Sequence, residues 1–402
     1  MRIPLLPLFL IAFVSATYAA PFYEETHIFA YDTPNHVHAS SLVETTSGEL
    51  IAVWYENGVD IDDPRYYYER RDKSSDVRIG GARKPAGGSW SKPFVMADTF
   101  GVSDNNPTLA IDQQQRLWLV YPTLLGVPDW TWGSAVVRYR IATDLSGEGP
   151  PAWAKSDILV PHPTGLEAVI DATAEAWRDR GGEGNERVLG YIERMKERLQ
   201  EPLVQRLGWM PRAHPLIRRD GAVVLPLSNE NVNIAMMAIT KDGGETWTYS
   251  NPVPEAGLTQ PTLVEYEDGH ISAFFRNSGP ERRIKRSDSA DGGMTWGPVT
   301  VTDLVHPGAG IEALALKNGN LLMIYNDVEE SPRDKLAVSI SDDRGKTWKW
   351  TRHIEDTDGA RYDYPSIIQA ADGTLHATYS YNLETIKHVH FNEEWVRAGD
   401  PR

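Results

Sequence analysis

Six clusters of polar residues stand immediately ahead of six short apolar phrases in this chain. In order they are His36 and His38; Asp104, Asn105 and Asn106; Arg212 and His214; Thr259 and Gln260; Glu312; and Tyr362, Asp363 and Tyr364. Together they offer imidazoles, carboxylates, a guanidinium and phenols, the groups that move protons and hold anions. Strand ends that only pack have no need of such a set, whereas convergent polar groups mark a binding site. The competing reading is a hydrogen-bonded lining for a water-filled axial channel.

The elements that must position these groups repeat. Each phrase is a short apolar stretch, a few polar residues ending in a turn, and a second apolar run. The clearest copy passes from Pro261-Thr262-Leu263-Val264 through Asp268-Gly269 to Ile271-Ser272-Ala273-Phe274-Phe275; others start at Ser41, Pro107, Pro215, Ala313 and Pro365. This is a strand-turn-strand unit. Three copies are followed by Ser/Thr-x-Asp-x-Gly-x-Thr-Trp, at Thr240 to Trp247, Ser289 to Trp296 and Ser341 to Trp348. Asp caps such a turn, Gly supplies positive φ, and Trp buries itself between neighbouring modules. Degenerate versions end at Trp90 and Trp153, and Trp395 closes the series. The last four tryptophans recur about every fifty residues, the length of a four-stranded propeller blade. The expected fold is therefore all-β, a six-bladed β-propeller; a sandwich would not repeat at this period.

Two stretches break the rhythm. Residues 56–80 lengthen the first blade and include Asp60 to Asp63 and Tyr66 to Arg71. Residues 166–208 form a helical insertion assigned to the third blade, with helical spacing from Leu166 to Arg178 and from Glu186 to Leu207 around a Gly181-Gly182-Glu183-Gly184 turn. A lid or brace on the propeller suits it better than a separate domain.

Composition narrows the partners. A formal charge of −16 over 402 residues leaves nothing to offset phosphate repulsion, so nucleic acid is excluded. With no Cys, disulfides, thiolate catalysis and Cys-bound metals are excluded too. Arg2, the apolar run Leu5 to Val14 and the small residues up to Ala20 read as a secretory signal cut near Ala19. Residues 1–19 are thus expected to be a signal peptide and 20–402 a secreted or periplasmic propeller without a membrane span. No motif calls for a metal or other cofactor, and His388 and His390, on one face of a late strand, read as packing. The high aromatic content suits a glycan partner.

The Ser-x-Asp-x-Gly-x-Thr-Trp elements are similar to the Asp boxes of the sialidase (neuraminidase) superfamily, and the blade phrases resemble its bacterial BNR-repeat branch from about residue 30 to 392. The resemblance implies three arginines on a substrate carboxylate, a Tyr nucleophile served by a Glu, and an Asp acid/base. Carried over residue by residue, it points to Tyr364 as nucleophile, with Tyr362 as its near neighbour, and to Asp76, ahead of the first degenerate box, as acid/base. It also points to Arg276 and Arg333 as clamp arginines, whose planar forks meet a carboxylate bidentately.

Two positions depart from the pattern. His38 stands where the first clamp arginine belongs, and Gln260, which cannot act as a base, stands where the Glu belongs; Glu312, one blade further round, is the expected substitute. Arg212 and Asn106 complete the expected binding set. The leading expectation is a secreted sialidase-like glycoside hydrolase removing a terminal, acidic sugar. A propeller lyase is the alternative: neutral His38 takes a proton beside a uronate carboxylate, Tyr364 protonates the leaving oxygen and Arg276 neutralises the acid. A third reading is a propeller that only binds glycans.

Overall fold

Runs such as Leu50 to Asn57, Leu117 to Leu124 and Ile234 to Thr240 are buried along their whole length. A strand covered on both faces must lie inside a stack of sheets. The computed structural model describes residues 19–30, 36–57, 72–126, 131–181 and 185–399. The expected signal segment, Asp60 to Asp63, Tyr66 to Arg71 and most of the glycine turn at 181–184 fall outside these residues.

The strands form six antiparallel sheets, the six blades of a β-propeller. Blade 1 is built from Val37–Glu44, Leu50–Asn57, Val77–Lys84 and Phe94–Ala97. Blade 4 repeats the plan with Leu258–Glu265, Ile271–Asn277, Arg283–Ser289 and Thr300–Val305, and blade 5 with Glu312–Ala315, Leu321–Asn326, Lys335–Ser341 and Trp350–Asp356. In blades 2 and 3 the innermost strand is split into two short pieces, Ser103–Asp104 with Thr108–Ile111 and Trp209–Met210 with Leu216–Ile217. Blade 6 is Tyr362–Gln369, Leu375–Tyr381 and Thr385–Phe391, and its outer strand comes from the other end of the chain: Tyr23–His27 pairs with Thr385–Phe391, Tyr23 opposite Phe391. The repeat pattern carries no sign of this closure. Trp395, expected to close the last unit, sits on a short helix, Glu393–Arg397, and stacks on Tyr23 at 4.6 Å.

The inner strands share a device. Register shifts between His38 and Ser41, Thr259 and Thr262, and Asp363 and Ser366 insert a bulge. Ala39, Gln260 and Tyr364 occupy the left-handed region there, at φ 55°, 49° and 49°, and Asn106 does so at 35° where the blade 2 strand is split. Such residues cost about 1–3 kcal/mol each and persist only where the surroundings over-determine them. The bulge re-aims side chains at the strand end; Gln260, Tyr364 and Asn106 all reach the same cleft.

The helical insertion contains α1 (Leu166–Arg180), α2 (Asn185–Arg198) and α3 (Pro202–Arg206). It joins the outer strand of blade 2, Lys155–Leu159, to the first strand of blade 3. The second helix was expected to reach Leu207, but it stops at Arg198 because Pro202 cannot continue the hydrogen-bond ladder and instead starts α3. Leu166, Ile170, Ala174, Ile192, Met195 and Leu199 pack with Trp209, Leu227 and Ile234 in one apolar cluster, fixing the helices to blades 2 and 3.

The Asp boxes tie blade to blade. Asp343 accepts from Thr347 N (2.9 Å) and Thr347 Oγ1 (2.6 Å), and Asp291 repeats both bonds with Thr295. The tryptophan that follows packs on the preceding blade: Trp348 lies edge-on to Phe274 at 6.3 Å, and Trp247 edge-on to Tyr139 at 5.6 Å. Partial burial pushes the Asp291 and Asp343 carboxyls up, but the threonine and serine hydrogen bonds outweigh it and lower both to about 2. A depressed carboxyl stabilises the fold above its ordinary value of 3.8 and loses that contribution as pH falls toward 2. Asp343→Ala is expected to cost about 1–3 kcal/mol in urea unfolding at pH 7. That deficit shrinks as the pH is lowered from about 4 to about 2.

Candidate active site

The side chains at one mouth of the propeller enclose a cleft of about 880 Å³. His38, Asn106, Gln260, Arg276, Arg333 and Tyr364 all line it, so six of the nine sequence-derived residues are brought together. Asp76, Glu312 and Arg212 do not line it.

Tyr364 is the centre of the floor. Its hydroxyl oxygen accepts from Arg276 Nη1 at 3.1 Å and from Gln260 Nε2 at 3.4 Å. Arg276 Nη1 also donates to Gln260 Oε1 at 3.1 Å, closing a three-residue ring of contacts. Both contacts are accepted by the oxygen, which leaves the phenol proton without a protein acceptor among the described residues. The ring is held from two sides. His38 meets it edge-on at 4.5 Å, and the Arg212 guanidinium lies over it at 4.8 Å. Arg212 is 1% exposed and donates to the carbonyls of Pro365 (3.0 Å) and Ser40 (3.4 Å). It is therefore a support beneath Tyr364 and not a substrate contact.

The anion-binding side is built around Asp363. Its two carboxylate oxygens take Arg333 and Arg361, one each. Burial pushes the Asp363 carboxyl up, but the Arg333 and Arg361 guanidiniums paired with it outweigh that and hold it below the ordinary carboxylate value. Arg333 Nη2 also donates to the Gly308 carbonyl at 3.2 Å. Arg361 lines the cleft and was missed in the sequence. The signal was there: it lies three residues before Tyr364 in the same cluster-bearing segment. His38 Nδ1 lies 3.0 Å from Ser380 Oγ, and burial holds the imidazole well below 6.5, so the ring is neutral near pH 7.

The carboxyls of the cleft are not the ones expected. Asp76 turns away into a local network, bonding to the Ser74 hydroxyl and accepting from Asn57 Nδ2 at 3.3 Å. Asp72, four residues earlier, lines the cleft, and its pKa is raised by burial against the pull of Lys73. Glu230, at the end of the second strand of blade 3, lines it too, raised by burial against Arg276 and Lys73. Asp72 lies within the long insertion of blade 1 and Glu230 follows an apolar strand instead of preceding one, so the rule that located the other residues passed over both.

Glu312 is committed to the axis. Its Oε1 accepts from His214 N (2.8 Å) and contacts His214 Nδ1 (2.7 Å), while Oε2 accepts from Ile367 N (3.0 Å). His214 Nε2 in turn lies 2.7 Å from the Leu42 carbonyl. The pair joins blades 1, 3, 5 and 6 and has no contact with the Tyr364 hydroxyl among the described residues. Both carboxylate oxygens are engaged at the axis and Glu312 does not line the cleft, so it is not placed to take the phenol proton.

Comparison with known proteins agrees with this architecture. The BNR repeat-like domain family matches residues 195–377. A sialidase from Micromonospora viridifaciens is 25% identical over 171 residues, which is 40% of this chain and only 26% of that protein's length. Among solved structures, a protein of unknown function from Dyadobacter fermentans superposes with a TM-score of 0.68 at 16% identity, covering 92% of this chain and 98% of its own. A sialidase from Streptococcus pneumoniae gives 0.67 at 13% identity over 92% and 71%.

The buried axial pair has a pH signature. For Glu312, burial raises the pKa but the contacts with His214 outweigh it and lower the value below 4.5; for His214, burial lowers the pKa but Glu312 outweighs it and raises the value above 6.5. The Glu312 contribution is complete above 4.5 and fades as pH falls through its depressed value; that of His214 is complete below 6.5 and fades as pH rises through its raised value. Their joint contribution therefore peaks between these limits. Glu312→Gln should cost about 3–5 kcal/mol in denaturant unfolding near pH 5.5, with a smaller deficit at pH 9.

Proposed function

We propose, from the premise that the chain belongs to the sialidase and BNR-repeat superfamily, that it is an exported glycoside hydrolase removing a terminal sugar that carries a carboxylate. One observation carries the reading: the Tyr364 hydroxyl is fixed by Arg276 and Gln260 on the floor of a cleft walled by two carboxyls with raised pKa values and by a cluster of arginines.

In this reading Arg276, Arg333 and Arg361 hold the substrate carboxylate. Arg361 supplies the cation that His38 cannot, since the buried imidazole is neutral. Asp363 holds Arg333 and Arg361 side by side, so a bidentate anion meets prearranged donors. Tyr364 attacks the anomeric carbon; an uncharged phenol approaches a centre beside a carboxylate without the repulsion that an anionic nucleophile meets. Asp72, which burial keeps protonated to higher pH, gives its proton to the leaving oxygen and afterwards takes one from water. Glu230 is the base assigned to the phenol, in place of both Gln260 and Glu312. Export rests on the apolar run Leu5 to Val14 ahead of Ala19.

A lyase is favoured by one observation only, the neutral His38 ring set against Tyr364. The two reactions leave different products: a lyase yields an unsaturated, ultraviolet-absorbing uronate, and the hydrolase does not.

Purified protein should release dye from a fluorogenic sialoside or uronide without forming an unsaturated product. Tyr364→Phe is expected to abolish turnover while leaving the unfolding midpoint in place. Asp72→Asn should lower kcat/KM by about 10²–10⁴-fold and remove the alkaline limb of its pH profile, because the general acid works only below its own pKa. Arg361→Ala should raise KM for an acidic glycoside about tenfold or more. Turnover that survives Tyr364→Phe rejects the assignment.

A further inference from the structure

The cleft is larger than one sugar requires. Its volume of about 880 Å³ lies near the top of the range, about 300–1,000 Å³, that encloses a drug-sized ligand. The residues assigned above occupy the floor and the sides contributed by blades 1, 3, 4, 5 and 6. Much of the remaining wall is the helical insertion.

Helix α2 presents Arg187, Tyr191 and Arg194 to the cleft, at the i, i+4, i+7 spacing that puts them on one face. The helix is pinned to a blade 3 loop: Asn233 Nδ2 donates to Tyr191 Oη at 2.5 Å, and Arg198 Nη2 to Asn231 Oδ1 at 2.6 Å. Two further aromatic rings, Trp132 and Trp177, line the same space. The cations differ from their neighbours. Lys285 is paired with Glu255 and Glu281, and Arg333 and Arg361 with Asp363. Arg187 and Arg194 have no ion-pair partner among the described residues, in a chain with 56 acidic and 40 basic side chains. Arg194 instead lies 5.9 Å from the Tyr191 ring centroid, its guanidinium over the aromatic face. Aromatic rings beside guanidinium groups that carry no ion pair suit a sugar ring that itself bears an anion.

We propose that α2 forms a second sugar subsite, on the leaving-group side, for an acidic sugar. This rests on the glycosidase reading above. Tyr191 and Trp177, each with a guanidinium over one face (Arg194 at 5.9 Å, Arg180 at 5.0 Å), border the sugar ring, and Arg187 and Arg194 hold its carboxylate or sulfate. The preferred substrate is then an oligosaccharide with two adjacent anionic sugars, and the insertion selects it over one with a neutral penultimate residue.

The test compares wild type with the Arg187→Ala/Arg194→Ala double variant on four probes: methylumbelliferyl sialoside, sialyllactose, disialyllactose and sulfated sialyllactose. For disialyllactose or its sulfated counterpart, kcat/KM should fall about 10- to 100-fold more than for the two probes without a second anion, and Arg187→Lys/Arg194→Lys should recover part of it. A larger loss on disialyllactose identifies a carboxylate, on the sulfated probe a sulfate. Equal losses on all four probes, or none, overturn the subsite. If wild type cleaves no probe, the glycosidase reading fails by itself. Calorimetric titration with disialyllactose and sialyllactose then decides the subsite: tighter binding of the doubly charged sugar that vanishes in the double variant supports it, and equal binding overturns it.

Discussion

A buried carboxylate paired with a largely buried imidazole on the propeller axis is what the rest of the structure depends on. Glu312 and His214 lie where inner strands from opposite sides converge, and between them they bond strands of four blades. Neighbouring blades are also joined directly by neutral amide-to-hydroxyl bonds, Leu109 N to Ser41 Oγ and Ala313 N to Thr262 Oγ1. A charge placed there is expensive to desolvate, and that expense is met only while all the partners are present. The arrangement therefore specifies which blades face one another across the axis. The support above it is tied to the same axis: buried Arg212 feels the Glu312 charge, bonds to the Ser40 and Pro365 carbonyls and lies over the Tyr364 ring.

The architecture was readable because it repeats. Three near-identical Asp boxes and six strand-turn-strand phrases leave few alternatives, and His38, Asn106, Thr259, Gln260 and Tyr364, among the polar residues before the phrases, do meet at one mouth. Tyr364, Gln260 and Asn106 reach it through left-handed backbone at equivalent positions. The sequence marks these bulges only by the proline that follows each of the three residues.

The site was legible where it follows the repeat and illegible where it does not. Asp72 and Asp76 are four residues apart in the same loop, and only burial tells them apart. Glu230 sits at the far end of a second strand, where no repeated signal points. Glu312 misled for a physical reason: a carboxylate before an inner strand looks the same in sequence whether it faces the cleft or closes the axis. Its partner decides the matter, and that partner, His214, is 98 residues away along the chain. Arg361 and the cationic face of α2 belong to the same class, since their meaning depends on what they are paired with.

The strand from Tyr23 to His27 has a temporal consequence. It can find its place only after residues 385–391 exist, so the contact that closes the ring is among the longest-range in the molecule. Bringing such distant segments together is entropically slow and follows local pairing. The five internal blades can assemble hairpin by hairpin, but the cleft borrows Tyr364 and Arg361 from the sixth. A chain that has made every other blade still lacks the floor of its site. The floor of the site is thus completed only once the last blade of the chain has been made.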